Sequence, residues 1–265
     1  MKKIFLLQAL LFVGLAVNSQ PSNVRLMPVT TNSETALAFY GQARKYFDDV
    51  NLPRGLETFR KALKEDPDFF MANYQLALFC LLNQVKNDFD KYADAALNSK
   101  SALSDGEKLL KEALSKLSKG TSDVTDIGKK LLAIYPNDPE SYNNLVSFQS
   151  IAGDTAAIVE TLEKAIKVSP DSGPFYNQLG YAYLSLNKSD KAEAAFDRYI
   201  ALEPGNPNVY DSKGDFYMFI KKYNNAYYSY MKAHSMDPDF SREKADMAKQ
   251  LYEQTEGKQI DIISM

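Results

Sequence analysis

At 265 residues, 45% apolar and 25% charged, the chain is long enough to bury a sizeable core and is neither disordered nor collagen-like. The formal net charge of −3 becomes −5 once the two lysines of the leader are removed, leaving 29 basic against 34 acidic side chains. That mildly acidic balance, with no concentrated basic stripe, speaks against a dedicated nucleic-acid binder.

The first twenty residues, MKKIFLLQALLFVGLAVNSQ, read as a secretory signal. Lys2 and Lys3 form the basic start, Ile4 to Val17 the apolar stretch, and Val17-Asn18-Ser19 places a small residue before a cut at Ser19/Gln20. About 14 apolar residues fall short of the ~20 that span a bilayer, so no membrane span is expected after signal removal. A lipoprotein would need a cysteine at the cut, and the only cysteine is Cys80. The mature chain is therefore expected to be exported, periplasmic or secreted, and soluble. A lone cysteine forbids an internal disulfide. Set among leucines, Cys80 reads as a small buried apolar group. Residues 20–33, rich in Ser, Thr, Asn and Pro, read as a flexible lead-in.

From residue 34 onward a fixed period governs the chain. Prolines 136, 170, 204 and 238 are spaced by 34, and Pro67 precedes Pro136 by two periods plus one. With each proline at position 32, the unit starting at Ala36 carries Phe39, Gln42, Ala43, Tyr46, Gly55, Phe59 and Pro67 at positions 4, 7, 8, 11, 20, 24 and 32. Residues 70–101 begin in phase, with Leu76 and Ala77, and then lose register. Residues 104–138 read as a degenerate pair, one helix carrying Leu109 to Leu117 and a second carrying Val124 to Leu132. The unit 139–172 has Tyr142, Leu145, Leu162, Ala165 and Pro170, but Val146 and Ile158 replace a small pair, so its helices should sit slightly apart. The unit at Gly173 gives Tyr176, Leu179, Gly180, Tyr183, Ala192, Phe196 and Pro204. The next gives Tyr210, Lys213, Gly214, Tyr217, Ala226, Tyr230 and Pro238. Residues 241–257 form one more amphipathic helix, fitted to cover the last apolar face, and 258–265 a short tail.

Each position has a physical reason. Apolar residues at 4, 7, 8 and 11 follow the helical spacing and make the first helix of a unit amphipathic. Glycine at 8 opposite alanine at 20 would let the two helices of a unit approach. Asn187 and Gly153, both at position 15, suit the left-handed backbone that ends the first helix. The proline stops the second helix and sets the turn to the next unit. No single pair buries its own apolar face, so stability must come from stacking. The pattern resembles the tetratricopeptide repeat family. That resemblance implies an all-α, right-handed solenoid of about six antiparallel helix pairs plus a C-terminal capping helix. Residues 34–138 would hold the N-terminal pairs and 139–240 three consecutive good units.

Catalytic chemistry is not visible. His234 is the only histidine and reads as a half-exposed packing residue. It can pair with no second histidine for acid–base work or metal binding. A Gly-rich phosphate loop and a G-x-S-x-G elbow are both missing, and acidic clusters such as Asp48-Asp49 read as helix ends and solvated faces. No enzyme, cofactor or metal site is expected. The aromatic density at 210–230 mostly occupies repeat positions, which leaves too few rings for a nucleic-acid or sugar platform.

In members of the resembled family, ligands lie in the concave groove lined by helix positions 2, 5, 9, 12 and 13. Position 5 here runs Tyr40, Tyr74, Asn143, Asn177 and Asp211. Position 9 adds Ser147, Tyr181 and Asp215, and positions 12 and 13 include Ile151, Leu184, Met218 and Phe219. The expected groove is thus a polar ladder beside an apolar strip, suited to a peptide backbone, with Asn143, Ser147, Asn177, Tyr181, Leu184, Asp211, Asp215, Met218 and Phe219 as candidate contacts. The carboxylate clamp of chaperone-binding members is absent. Tyr40 and Arg44 stand where it needs Lys and Asn, and Pro174 and Gln178, or Asn208 and Ser212, stand where it needs cations. The expected function is a protein-binding scaffold of the bacterial cell envelope. The alternative is a structural subunit that oligomerises through an exposed apolar strip.

Overall fold

In a computed structural model, residues 25–260 are described and carry thirteen α-helices and no strand. The expected leader at 1–19 and the last five residues of the tail lie outside the described residues. The helices form six consecutive antiparallel pairs and a last single helix. The first three pairs are α1 (Glu34–Asp48) with α2 (Leu52–Glu65), α3 (Phe70–Leu82) with α4 (Lys86–Leu97), and α5 (Asp105–Ser118) with α6 (Thr125–Ile134). The next three are α7 (Pro139–Ala152) with α8 (Thr155–Val168), α9 (Gly173–Ser185) with α10 (Ser189–Leu202), and α11 (Pro207–Phe219) with α12 (Tyr223–Met236). The single helix is α13 (Arg242–Glu256). The architecture is an all-α repeat solenoid.

Local chemistry sets the ends of these helices. Ser33, Asp138 and Asp154 accept from the backbone N–H of Ala36, Ser141 and Ala157, covering donors that the first turn leaves open. Ser104 and Glu107 form a reciprocal capping box. Every turn inside a pair passes through one left-handed residue: Val50, Gln84, Gly120, Gly153, Asn187 or Lys221. The geometry expected at Asn187 and Gly153 is therefore general, and it is imposed even on the β-branched Val50.

Three apolar clusters run along the solenoid: Met27 to Tyr135 with Phe148, Tyr142 to Phe216, and Ala226 to Ile260. Helix α7 is the seam between the first two, since Phe148 joins one and Tyr142 and Val146 the other. Cys80 is buried in the first. Lys213, standing where a repeat usually has leucine, is buried beneath Glu193 (3.1 Å) and Asp197 (2.7 Å) of α10. The role of the repeat glycine needs correcting. A Cβ on Gly180 would lie 2.6 Å from the Phe196 ring, and one on Gly214 would lie 2.4 Å from the Tyr230 ring. Glycine at position 8 therefore makes room for the aromatic at 24, rather than simply meeting the alanine at 20. Helices α7 and α8 are packed less closely than their neighbours in α9–α10 and α11–α12, as the Val146–Ile158 substitution leads one to expect.

Two features depart from a plain open array. The lead-in is tied down from residue 25 on instead of hanging free. Met27 is buried, and Thr30 donates through N–H and Oγ1 to the buried Glu107 carboxylate at 2.8 and 2.7 Å. Thr31 bonds Asp66, and Ser104 Oγ donates to the Pro28 carbonyl. Polar Ser and Thr side chains that signal a loop in sequence here find fixed acceptors. The second feature is closure across non-adjacent units. Tyr74 Oη on α3 donates to Asn144 Oδ1 on α7 at 2.6 Å. The Arg44 guanidinium on α1 meets Glu140 at 2.6 Å. The first two pairs thus curl onto the fourth.

Candidate functional site

The closure defines the site. Tyr40 and Tyr74, both in the sequence-read ladder, are 6% and 0% exposed, so the N-terminal half of the groove is filled by its own aromatic rings. Tyr40 lies against Phe59 and Phe69, and Tyr74 against Phe70. What remains open is a cleft of about 280 Å3 between the first two pairs and helices α7 and α9. One wall is apolar: Phe47, Leu78, Phe79 and Leu82, with Val50 at the turn. The other is polar: Asn143 and Ser147 from α7, and Asn177 and Gln178 from α9.

Glu140 is the hinge point of this arrangement. It takes the Arg44 guanidinium on one oxygen, and on the other the amides of Gln75 at 2.6 Å and Asn144 at 3.3 Å. Both ions are largely buried, so the pair is held by full hydrogen bonding rather than by surface attraction. Asp48 stands at the cleft mouth with an exposed edge. Partial burial pushes its carboxyl up to about 6, with Arg44 pulling down and Glu140, Asp49 and Glu203 pushing further up.

The nine sequence-read residues divide into groups. Asn143, Ser147 and Asn177 line the cleft together. Asn143 accepts from Gln178 at 3.2 Å, a contact between neighbouring units. Asn177 is 8% exposed and its Oδ1 has no hydrogen-bond partner. A buried amide left so is unusual and marks where an incoming donor would be rewarded. Asp211 and Asp215 are not free groove acids. Asp211 accepts from Ser241 at 2.5 Å and from Lys244 at 2.7 Å. Asp215 accepts from Tyr181, Tyr230 and Lys244 at 2.8, 2.7 and 3.0 Å. Helix α13 brings Lys244 there. Desolvation would lower its pKa, but the two carboxylates outweigh that and raise it. Tyr181 is spent on the same cluster, edge-on to Phe196. Leu184 is a correction: at 7% exposure it belongs to the second core, not to the groove surface. Met218 packs against the last core beneath α13, while Phe219 is 46% exposed.

Sequence reading missed Glu140, Gln75, Lys244 and Ser241 as site-forming residues. The 34-residue period encodes contacts between neighbouring units, and Glu140 acts across two of them. The one visible signal was the extra residue between Pro67 and Pro136, which marks the third pair as irregular. Among the described residues no group of three His, Cys, Asp or Glu side chains could hold a metal ion, and no helix is long and apolar enough to cross a membrane. His234 is half-buried, its Nδ1 3.1 Å from the Phe240 carbonyl.

Two tetratricopeptide-repeat family models match this chain, over residues 151–215 and 207–240. The small glutamine-rich tetratricopeptide repeat-containing protein 2 of Mycosarcoma maydis is 26% identical over 77 residues, which is 29% of this chain and 22% of that protein. The match thus spans about a fifth of that relative's length. Among solved structures, a thermophilic tetratricopeptide protein of Thermus thermophilus is similar with a TM-score of 0.50 at 22% identity, covering 80% of this chain and 98% of that one. The type IV pilus biogenesis factor PilW aligns with a TM-score of 0.42 at 15% identity, covering 85% and 95%.

Proposed function

Since the chain is a tetratricopeptide-repeat protein, and such repeats form protein-interaction scaffolds, we propose that it is a non-catalytic scaffold that seats a partner's peptide segment in the cleft between the first two helix pairs and α7–α9. The observation that carries this reading is Asn177, whose buried amide oxygen lacks a partner at the floor of a cleft with one apolar and one polar wall. A backbone N–H of an extended segment supplies the missing donor, and an apolar side chain beside it fits against Phe79 and Leu82. The fit favours a short anchor over a long one, because Lys244 already occupies the acidic end of the groove. The leader read at residues 1–19 supports a place in the cell envelope for this activity, and mass spectrometry of the purified natural protein should find a chain starting at Gln20.

The test is site-specific photocrosslinking in cells. A photoreactive residue at Ser147, in the cleft, should trap a discrete partner protein, and Asn177→Leu should weaken the adduct several-fold. The control probe at Lys191, on the outer helix α10, should trap none of it. Equal adducts from both positions, or an adduct unchanged by Asn177→Leu, would discard the cleft as the binding site.

A further inference from the structure

The repeat rule itself points to a second site, on the flank of α7 away from the groove cleft. Position 11 is tyrosine in the units starting at Ala36, Gly173 and Pro207: Tyr46, Tyr183 and Tyr217. Tyr183 illustrates what that ring does. It is buried, reaches back to the preceding unit, and donates its hydroxyl to Glu163 of α8 at 2.6 Å. In the unit 139–172 the same position is Gln149, and beside it lies a cleft of about 480 Å3 between α6, α7 and α8.

Gln149 is 4% exposed, and its amide oxygen has no partner. Thr161, 5% exposed, lines the facing wall. Around them the wall is apolar, formed by Leu132, Ala133, Leu145 and Ala157. Lys129 stands at the rim, seven residues before Pro136, as Glu163 stands seven before Pro170. The polar rim is mixed: Lys129, which is ion-paired with Asp126 at 3.3 Å, stands with Lys164 and the Glu160 carboxylate. The site offers a slot for a ring, a buried amide that needs a partner, and a rim that carries both signs of charge.

We infer that this cleft is an anchor for one tyrosine side chain of a partner protein, which supplies from outside the ring that this unit lacks. A phenol both donates and accepts, so it completes the Gln149 amide whichever end of it faces the slot, while its oxygen can accept from Lys129. The ring covers the apolar wall, and burial of a flat aromatic surface is the main attraction. Phenylalanine fills the slot but leaves the amide unpaired, and that difference is the basis of selectivity. None of the residues lining this slot lines the groove cleft, so the inference stands apart from the groove reading.

The test is a titration of the full chain followed by NMR at the Gln149 side-chain amide and the Ala133 and Ala157 methyl groups. N-acetyl-L-tyrosinamide should give saturable shifts at all three. N-acetyl-L-phenylalaninamide should bind about fivefold more weakly or worse, the scale of one hydrogen bond to a buried group. Gln149→Tyr restores the repeat's own ring, should fold with a raised Tm, and should lose the response. Thr161→Val, nearly isosteric, should weaken tyrosinamide binding while leaving the helical spectrum unchanged. Four results would each overturn the inference: no saturable shift, shifts that persist in Gln149→Tyr, equal affinity for the two amides, or a Gln149 amide that contacts only exchanging water throughout the titration.

Discussion

Gly180 and Phe196 illustrate how opposite local demands are resolved inside one unit. Alanine is the better helix former by roughly 1 kcal/mol, so propensity alone favours Gly180→Ala. The new Cβ, however, would sit 2.6 Å from a ring that is fully buried and has nowhere to turn. Overpacking of that kind costs about 1–3 kcal/mol, so the variant should lose up to about 2 kcal/mol net in urea unfolding. An unchanged midpoint would mean that the ring can move aside. Val50 poses the reverse case. Its φ of 56° places a β-branched side chain in the left-handed region, at a cost of about 1–2 kcal/mol. Val50→Asn tolerates that backbone and should raise Tm by about 2–4 °C, allowing for some lost side-chain burial. At this scale the sequence was largely legible, because glycine, aromatic and proline spacings each answer to a neighbour at fixed separation. Leu184 was misplaced for the same reason: position 12 carries no spacing rule that separates a groove contact from a core one.

Helices are where the candidate site was half legible. Six pairs and a covering helix follow from the period, including the register break that becomes α4 and the degenerate α5–α6 pair. What periodicity could not reveal is that α13 covers the last unit with charge as well as apolar surface. Ala245 and Ala248 pack on α12, and Lys244 lies between Asp211 and Asp215. Both acids had looked like free groove groups because their partner lies about thirty residues downstream, out of phase with the repeat. Lys244→Ala would leave Asp211, whose side chain is 13% exposed, with a serine as its remaining donor. Lys244 itself is 44% exposed, so screening limits the loss to about 1–2 kcal/mol. Adding Asp211→Asn to that variant removes the stranded charge and should recover part of the loss. If the double variant is less stable than the parent by the full sum of the two single losses, Lys244 and Asp211 are not coupled.

On the scale of the whole molecule, the solenoid curls until the α1–α2 turn approaches the loops after α8 and α10. Lys45, Tyr46 and Asp49 line one side of a cleft whose other side is Glu203 to Pro207. This closure partly desolvates the Asp48 carboxyl and gathers Asp49, Glu140 and Glu203 near it, their repulsion opposed by Arg44, the guanidinium in contact with Glu140. Its ordinary value of 3.8 rises to about 6 in the folded chain. A raised carboxylate pKa means that the fold prefers the protonated form. The penalty is absent below about pH 4, grows as pH climbs, and is complete above about pH 6. Asp48→Asn removes it, so the variant and the parent should melt together at pH 4, and the variant should melt higher by about a degree or two at pH 7.5. The effect stays small because the carboxyl keeps an exposed edge and is screened by solvent. A variant that gains as much at pH 4 as at pH 7.5 would trace the gain to local helix-end chemistry. In that case the curl of the first pair onto the later units would carry no electrostatic strain.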